Sequence, residues 1–177
     1  MKHLLTCLIP INPEGLLAYI PELRPMVGFD QHNEHHCFDV WEHTLQCVLH
    51  TPEDPVLRLA ALFHDIGKPQ CFHLDENGVG HSYGHARVSA DMARDILTRL
   101  NCEAAMIDRI WLLIDRHDMQ IELQYKYVRR AMLRLGEDAF WQLVQLKRAD
   151  NLAQAPDWHH RQAYYDQLEQ IAQGVIL

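Results

Sequence analysis

His64 and Asp65 stand side by side at the end of the apolar run from Val56 to Phe63. Adjacent residues on a helix point about 100° apart, so two neighbours hold one ion only from a helix end or a turn in a cavity wall. Gly67, two residues on, lets the backbone leave the helix where the side chains converge. A lone His-Asp pair is commonplace, but this one has company. His43 lies 21 residues before His64, and Asp150 lies 85 residues after Asp65. His85 follows Asp65 by 20 residues at an expected helix start, and His117 falls at an expected helix end. Each position is a helix terminus or an inward face, where helical bundles build metal sites. Imidazole and carboxylate together suit Mn²⁺, Fe²⁺, Co²⁺, Ni²⁺ or Zn²⁺, and no thiolate adjoins the motif. Lys68 has two readings, a charge facing substrate phosphate or a partner of the preceding helix C-terminus. Arg87 has two as well, a phosphate contact one turn inside His85 or a surface salt bridge.

The elements that must position these groups read as helices. Residues 1–38 form an N-terminal segment packed on the main body, with a short helix over 14–19 and then an ordered loop. Asp39 caps a helix over 40–50, and Asp54 caps the next with Pro55 in its first turn. The turn signal Asp75-Glu76-Asn77-Gly78 predicts a small hairpin within about 70–83. Helices follow over about 85–100, 103–117, 125–135 and 137–154, with Phe140, Leu143, Val144 and Leu146 on one apolar face. Pro156 opens a last helix reaching toward 175. Gly84 leaves room for close approach before His85, and Met92, Met106 and Met132 fill the core. With no linker or repeat, the expectation is one all-α helical domain, its main body spanning 39–177.

The 177 residues suit about one domain. A net charge of −8, with only four Lys among 16 basic residues, argues against a broad basic face for duplex nucleic acid. Thirteen His allow a site of six and ordinary surface ones besides. Five Cys without a CxxC pair suggest neither disulfides nor a zinc ribbon, which points to reduced thiols and a cytoplasmic setting. No run approaches the length needed to cross a membrane.

His43…His64-Asp65…Asp150 resembles the H…HD…D signature of the HD-domain metal-dependent phosphohydrolase superfamily. Order, spacing and the His64-Asp65-Ile66-Gly67-Lys68 context agree over about 39–152. The narrower context, Phe38 to Thr44, Ala61 to Pro69 and Gly84 to Arg87, is similar to the HD region of bacterial CCA-adding tRNA nucleotidyltransferases. No nucleotidyltransferase head is expected, since no Gly-Gly…Arg-Asp stretch or paired-Asp strand is present, and the GYP signature of cyclic-di-GMP phosphodiesterases is also missing. The resemblance implies an HD-type bundle in which His43, His64, Asp65 and Asp150 hold a first divalent ion. It implies a second ion on His85 and His117 with Asp65 bridging, about 3.5–4 Å from the first. The ion is Mn, Fe, Co, Ni, Zn or Mg. Whether Asp118, where many relatives carry another His, or His81 joins the site stays open. His32, His35, His36 and His81 read as a solvated loop or as the pocket mouth. The expected activity is hydrolysis of a phosphate mono- or diester of a nucleotide or nucleic-acid end, with Asp65 and Lys68 catalytic and Lys68 and Arg87 on substrate. RNA is a possible partner. A non-catalytic nucleotide- or RNA-binding module and a di-iron oxygenase are the alternatives.

Overall fold

The computed structural model describes residues 13–33 and 37–175, so His35 and His36 lie outside the described residues. It is an all-α bundle carrying one small hairpin. In chain order the helices are α1 (Pro13–Tyr19), α2 (Val40–His50), α3 (Pro55–Phe63), the single turn α4 (Lys68–Cys71), α5 (His85–Arg99), α6 (Ala104–Arg116), α7 (Tyr125–Leu135), α8 (Glu137–Leu152) and α9 (Gln162–Gln173). Two 3₁₀ segments, Pro21–Met26 and Pro156–Arg161, complete them. The strands β1 (His73–Leu74) and β2 (Gly80–His81) pair antiparallel, with His73 opposite His81. Among the described residues no helix is long and apolar enough to cross a membrane. The four described cysteines are free thiols.

Local chemistry sets the starts of α2 and α3. Asp39 Oδ1 accepts the Glu42 amide at 2.7 Å, and Asp54 Oδ1 accepts the Leu57 amide at 2.9 Å. Each satisfies a first-turn amide that has no helical partner, a cap that contributes about 1 kcal/mol. Asp39 Oδ2 also takes the Gly28 amide at 2.6 Å, so the same cap pins the N-terminal segment. Leu16, Ile20, Leu23 and Met26 of that segment are buried in the large core beneath α2 to α6. The stretch after α1 is the 3₁₀ turn over Pro21–Met26 rather than a plain loop.

Helix α8 differs from its expected single apolar face. Phe140 and Val144 enter a second core with Val128, Met132 and Leu168, whereas Leu143, Leu146 and Ala149 enter the large one. The helix runs between two clusters and buries residues around most of its girth, which leaves a third stripe, Lys147 and Asp150, for the site. The expected last helix is also divided. Asn151 Nδ2 donates to the Trp158 carbonyl at 3.1 Å, and His159 Nε2 sits 3.1 Å from the Gln154 carbonyl. Those side-chain bonds hold a 3₁₀ turn over Pro156–Arg161, and α9 starts only at Gln162.

Candidate metal centre

The turn after α3 sets the geometry. His64 is the C-cap of α3, and Asp65 follows it at 1% exposure. Gly67 is present for space and not for conformational freedom: its φ is −83°, open to any residue. A Cβ there would meet the Ser89 amide at 2.9 Å and the His85 carbonyl at 3.0 Å, so the turn docks directly on α5. Ser89 Oγ accepts the Gly67 amide at 2.9 Å and locks that approach. Gly84 is the converse case. Nothing lies near its missing Cβ, but its φ of +78° is the left-handed conformation that glycine adopts at little cost. That reversal starts α5 with His85 as its first residue, facing Asp65.

Two groups of donors meet on one carboxylate. On one side, His64 Nε2 lies 3.2 Å and His43 Nε2 3.5 Å from Asp65 Oδ2. Asp150 Oδ1 stands 3.0 Å from His43 Nε2 and 3.7 Å from His64 Nε2. On the other side, His85 Nε2 lies 3.1 Å and His117 Nε2 3.9 Å from Asp65 Oδ1, with 3.2 Å between the two nitrogens. His43, His64 and Asp65 form one cluster able to hold a metal ion, and Asp65, His85 and His117 form another. Asp118 Oδ1 and Oδ2 come within 3.5 Å of His117 and His85 from the solvent side. His81 lines the same cavity, but its Nε2 faces Asp75 Oδ2 at 3.2 Å.

The imidazoles are held alike. His64 Nδ1 is 2.8 Å from the Ala61 carbonyl, His85 Nδ1 2.9 Å from that of Ser82, and His117 Nδ1 2.7 Å from that of Ile114. Each uses the carbonyl three residues upstream, and the Ile114 carbonyl also accepts the His117 amide at 3.3 Å. His43 Nδ1 reaches across the fold to the Ala153 carbonyl at 3.2 Å. Donation from Nδ1 to a carbonyl fixes the tautomer and leaves the Nε2 lone pair facing inward, the arrangement of metal-ligating histidines. His64 Nε2 is fully buried and, despite its proximity to Asp65, makes no hydrogen bond. An orphaned buried nitrogen is costly, and a cation on it would remove that cost. The donors therefore fit a divalent ion of the imidazole-carboxylate class.

Charge is strongly coupled here. Burial disfavours an imidazolium at His64, but the adjoining Asp65 and Asp150 outweigh it and push the pKa up to about 10. Burial, reinforced by the charges of His64 and His85, sends His117 down to about 4 against the pull of Asp118. Asp65 and Asp150 resist protonation: burial opposes their charge, but His64 beside both, Lys68 beside Asp65 and His43 beside Asp150 hold them well below the carboxylate range.

Lys68 lies on the cavity wall with Nζ 2.7 Å from Asp65 Oδ2 and donating to Gln31 Oε1 at 2.8 Å. Arg87 takes the surface alternative. Its Nε pairs with Asp115 Oδ1 at 2.6 Å and its guanidinium covers the Trp111 ring at 4.5 Å, outside the residues that line the cavity. The phosphate reading of Arg87 is set aside on that geometry. Two contributors escaped the sequence. Gln31 is buried and holds Lys68. Lys147, a buried lysine on α8, donates to the His117 carbonyl, and burial lowers its pKa. The only available signal was its spacing, one helical turn before Asp150.

The cavity holds about 350 Å³, and the hairpin forms one wall of it. Gly80 makes that wall possible. A Cβ on it would fall 2.1 Å from the Gln31 carbonyl, and its amide donates to the His32 carbonyl at 2.8 Å.

A helical bundle with a His-Asp pair at a helix end, gathering further His and Asp from four other helices or helix ends, defines a class. The chain belongs to the HD domain family, whose model matches residues 33–162. Over 146 residues, 78% of this chain, it is 42% identical to the CC-adding tRNA nucleotidyltransferase of Thermus thermophilus, covering 33% of that protein. It is 37% identical over 73% of its length to the A-adding tRNA nucleotidyltransferase of Deinococcus radiodurans, covering 31% of it. A bifunctional uridylyltransferase/uridylyl-removing enzyme of Ruegeria pomeroyi is 26% identical over 66% of this chain and covered to 14%. The chain thus spans about a third of the length of the tRNA nucleotidyltransferases it matches.

Proposed function

We propose that this chain is a metal-dependent phosphohydrolase that cleaves a phosphate mono- or diester of a nucleotide or of a nucleic-acid end. The observation that carries the reading is the shared carboxylate. Asp65 turns one oxygen to His43 and His64 and the other to His85 and His117. In this reading His43, His64, Asp65 and Asp150 hold one ion, and Asp65, His85 and His117 hold a second. When bound, such ions lower the pKa of a water and take up charge on phosphoryl oxygens.

The chain's own residues supply the rest. The carbonyls of Ala61, Ser82, Ile114 and Ala153 hold the four rings in one tautomer and orientation. Gln31 keeps the Lys68 ammonium at the wall, where it adds positive charge opposite a phosphoryl group. The relatives support a nucleotide or RNA partner, since two are named for action on tRNA and a third for removing uridylyl groups. The test is turnover of nucleotides and generic phosphate esters by protein loaded with each divalent metal in turn. Ester cleavage that chelation and Asp65→Ala both abolish is expected. Full metal occupancy with no cleavage of any ester would leave a binding module instead.

A further inference from the structure

Tyr83 is the most exposed of the large apolar side chains, at 74%, and it stands on the rim of the cavity that contains Asp65, Lys68 and His85. Single exposed aromatics are ordinary on protein surfaces. This one is built into a stack. Its ring lies 5.1 Å from that of His81 with only 9° between their planes, and His73 closes the group at 5.4 Å from Tyr83 and 5.6 Å from His81. The stack is anchored from beneath. His81 Nε2 faces Asp75 Oδ2 at 3.2 Å, while Asp75 Oδ1 accepts the amides of Asn77 and Val79 at 2.8 and 2.9 Å. Cross-strand pairing places His73 directly opposite His81. On its other side the segment is tied to the metal centre, because Ser82 offers its carbonyl to His85 Nδ1 and its hydroxyl to the Lys68 carbonyl at 3.3 Å.

We infer that Tyr83, backed by His81, is a stacking platform for the base of the substrate, so that this site selects esters carrying a nucleobase. The inference rests on the phosphohydrolase reading above and names what that site selects. Tyr83 lines the same cavity as Asp65, Lys68 and His85, so a base on the ring and an ester at the metal centre would share that one cavity. A flat aromatic face without buried donors or acceptors suits a base of any identity. Pre-stacking on His81 means that little side-chain freedom is lost when the base arrives. Preference for a base and indifference to which base both follow from the same geometry.

The experiment compares adenosine 5′-monophosphate with ribose 5-phosphate, the same ester without its base, on metal-loaded protein. Both affinity and kcat/KM are measured for the native chain, Tyr83→Ala and Tyr83→Phe. The native chain favours the nucleotide. Tyr83→Ala shrinks that ratio by roughly 5- to 150-fold, the usual effect of removing a stacked aromatic. Tyr83→Phe, which keeps the π face, retains it. A native ratio near one, or a ratio that survives Tyr83→Ala, overturns the platform. If neither ester is cleaved, the hydrolase reading fails by itself, and the affinity ratio on the same proteins still decides the platform. A short single-stranded oligoribonucleotide ending in phosphate, run beside the mononucleotide, shows whether the base comes from a free nucleotide or a nucleic-acid end.

Discussion

In the proposed reading, raising the pH tightens the first metal ion, and the charges around His64 set the slope. His64 titrates near 10 when folded against 6.5 for the free side chain, because Asp65 and Asp150 outweigh the cost of burying its charge. The sign for the metal-free chain follows from that rise. Its stabilising contribution is fully present below pH 6.5 and is lost as the pH climbs through 10. Metal needs the lone pair that this proton occupies, so binding must expel it. Between pH 6.5 and 9 the ion displaces about one proton from His64, and affinity rises about tenfold, or 1.4 kcal/mol, per pH unit. His85 and His117 belong to the other donor group, so their protons bear on the second ion and not on this slope. Competition with a chromophoric chelator at pH 6.5, 7.5 and 8.5, corrected for the chelator's own protonation, reads the slope. Calorimetry in buffers of different ionisation enthalpy counts the released protons. A Kd that does not change with pH, with no proton released, refutes the coupling and removes His64 from the ligand set.

Ion counting separates the two donor groups: Asp65→Ala should lose every bound ion and the heat stability that goes with it, while His85→Ala combined with His117→Ala should lose only one, as elemental analysis and Tm will show. Lys68→Met should retain its metal and lose turnover by a factor on the order of 10²–10³, measured on any ester that the native chain cleaves; unchanged turnover would leave Lys68 as a partner of Asp65 and Gln31 only. Lys147→Met removes the donor to the His117 carbonyl and should weaken the ion on His85 and His117 by about 10- to 100-fold, leaving the other ion's affinity unmoved in the same titration.

The donor set and the main helices were legible because their signals are local. Asp39 and Asp54 mark helix starts through bonds to residues within one turn and Pro55 through its fixed φ, and α2 and α7 begin and end where the sequence places them. The four histidines and two aspartates are recognisable by type and spacing. Long-range contacts were not. Nothing near Gln31 in the chain says that it meets Lys68, 37 residues away. Lys147 reads as an exposed lysine until α8 proves to be buried on both flanks by two separate cores. A glycine in a sequence does not say whether it supplies space or conformation, and Gly67 and Gly84 exchange the roles their contexts suggest. Arg87 shows the same limit, since its distance from His85 fits a phosphate contact and only the position of Asp115 decides otherwise.

Charge bears on the proposed substrate class. The protein carries a net −8, but deep in the fold the ionised Asp65 and Asp150 are faced by Lys68 and the imidazolium of His64. A phosphate approaching that centre meets two carboxylates whose charge nearby cations, Lys68 and the imidazolium of His64 among them, offset. In the proposed two-ion reading, two divalent ions would outweigh the two carboxylates, and the Lys68 ammonium beside Asp65 would add to the surplus. The four rings, as neutral ligands in the proposed loaded state, would contribute no opposing charge. A net-acidic protein whose cavity would turn positive on metal binding discriminates in two ways: it keeps extended polyanions from binding broadly, and it draws a single phosphoryl group to one point. That pattern fits an ester at the end of a chain or on a small molecule better than the uniform backbone of a duplex.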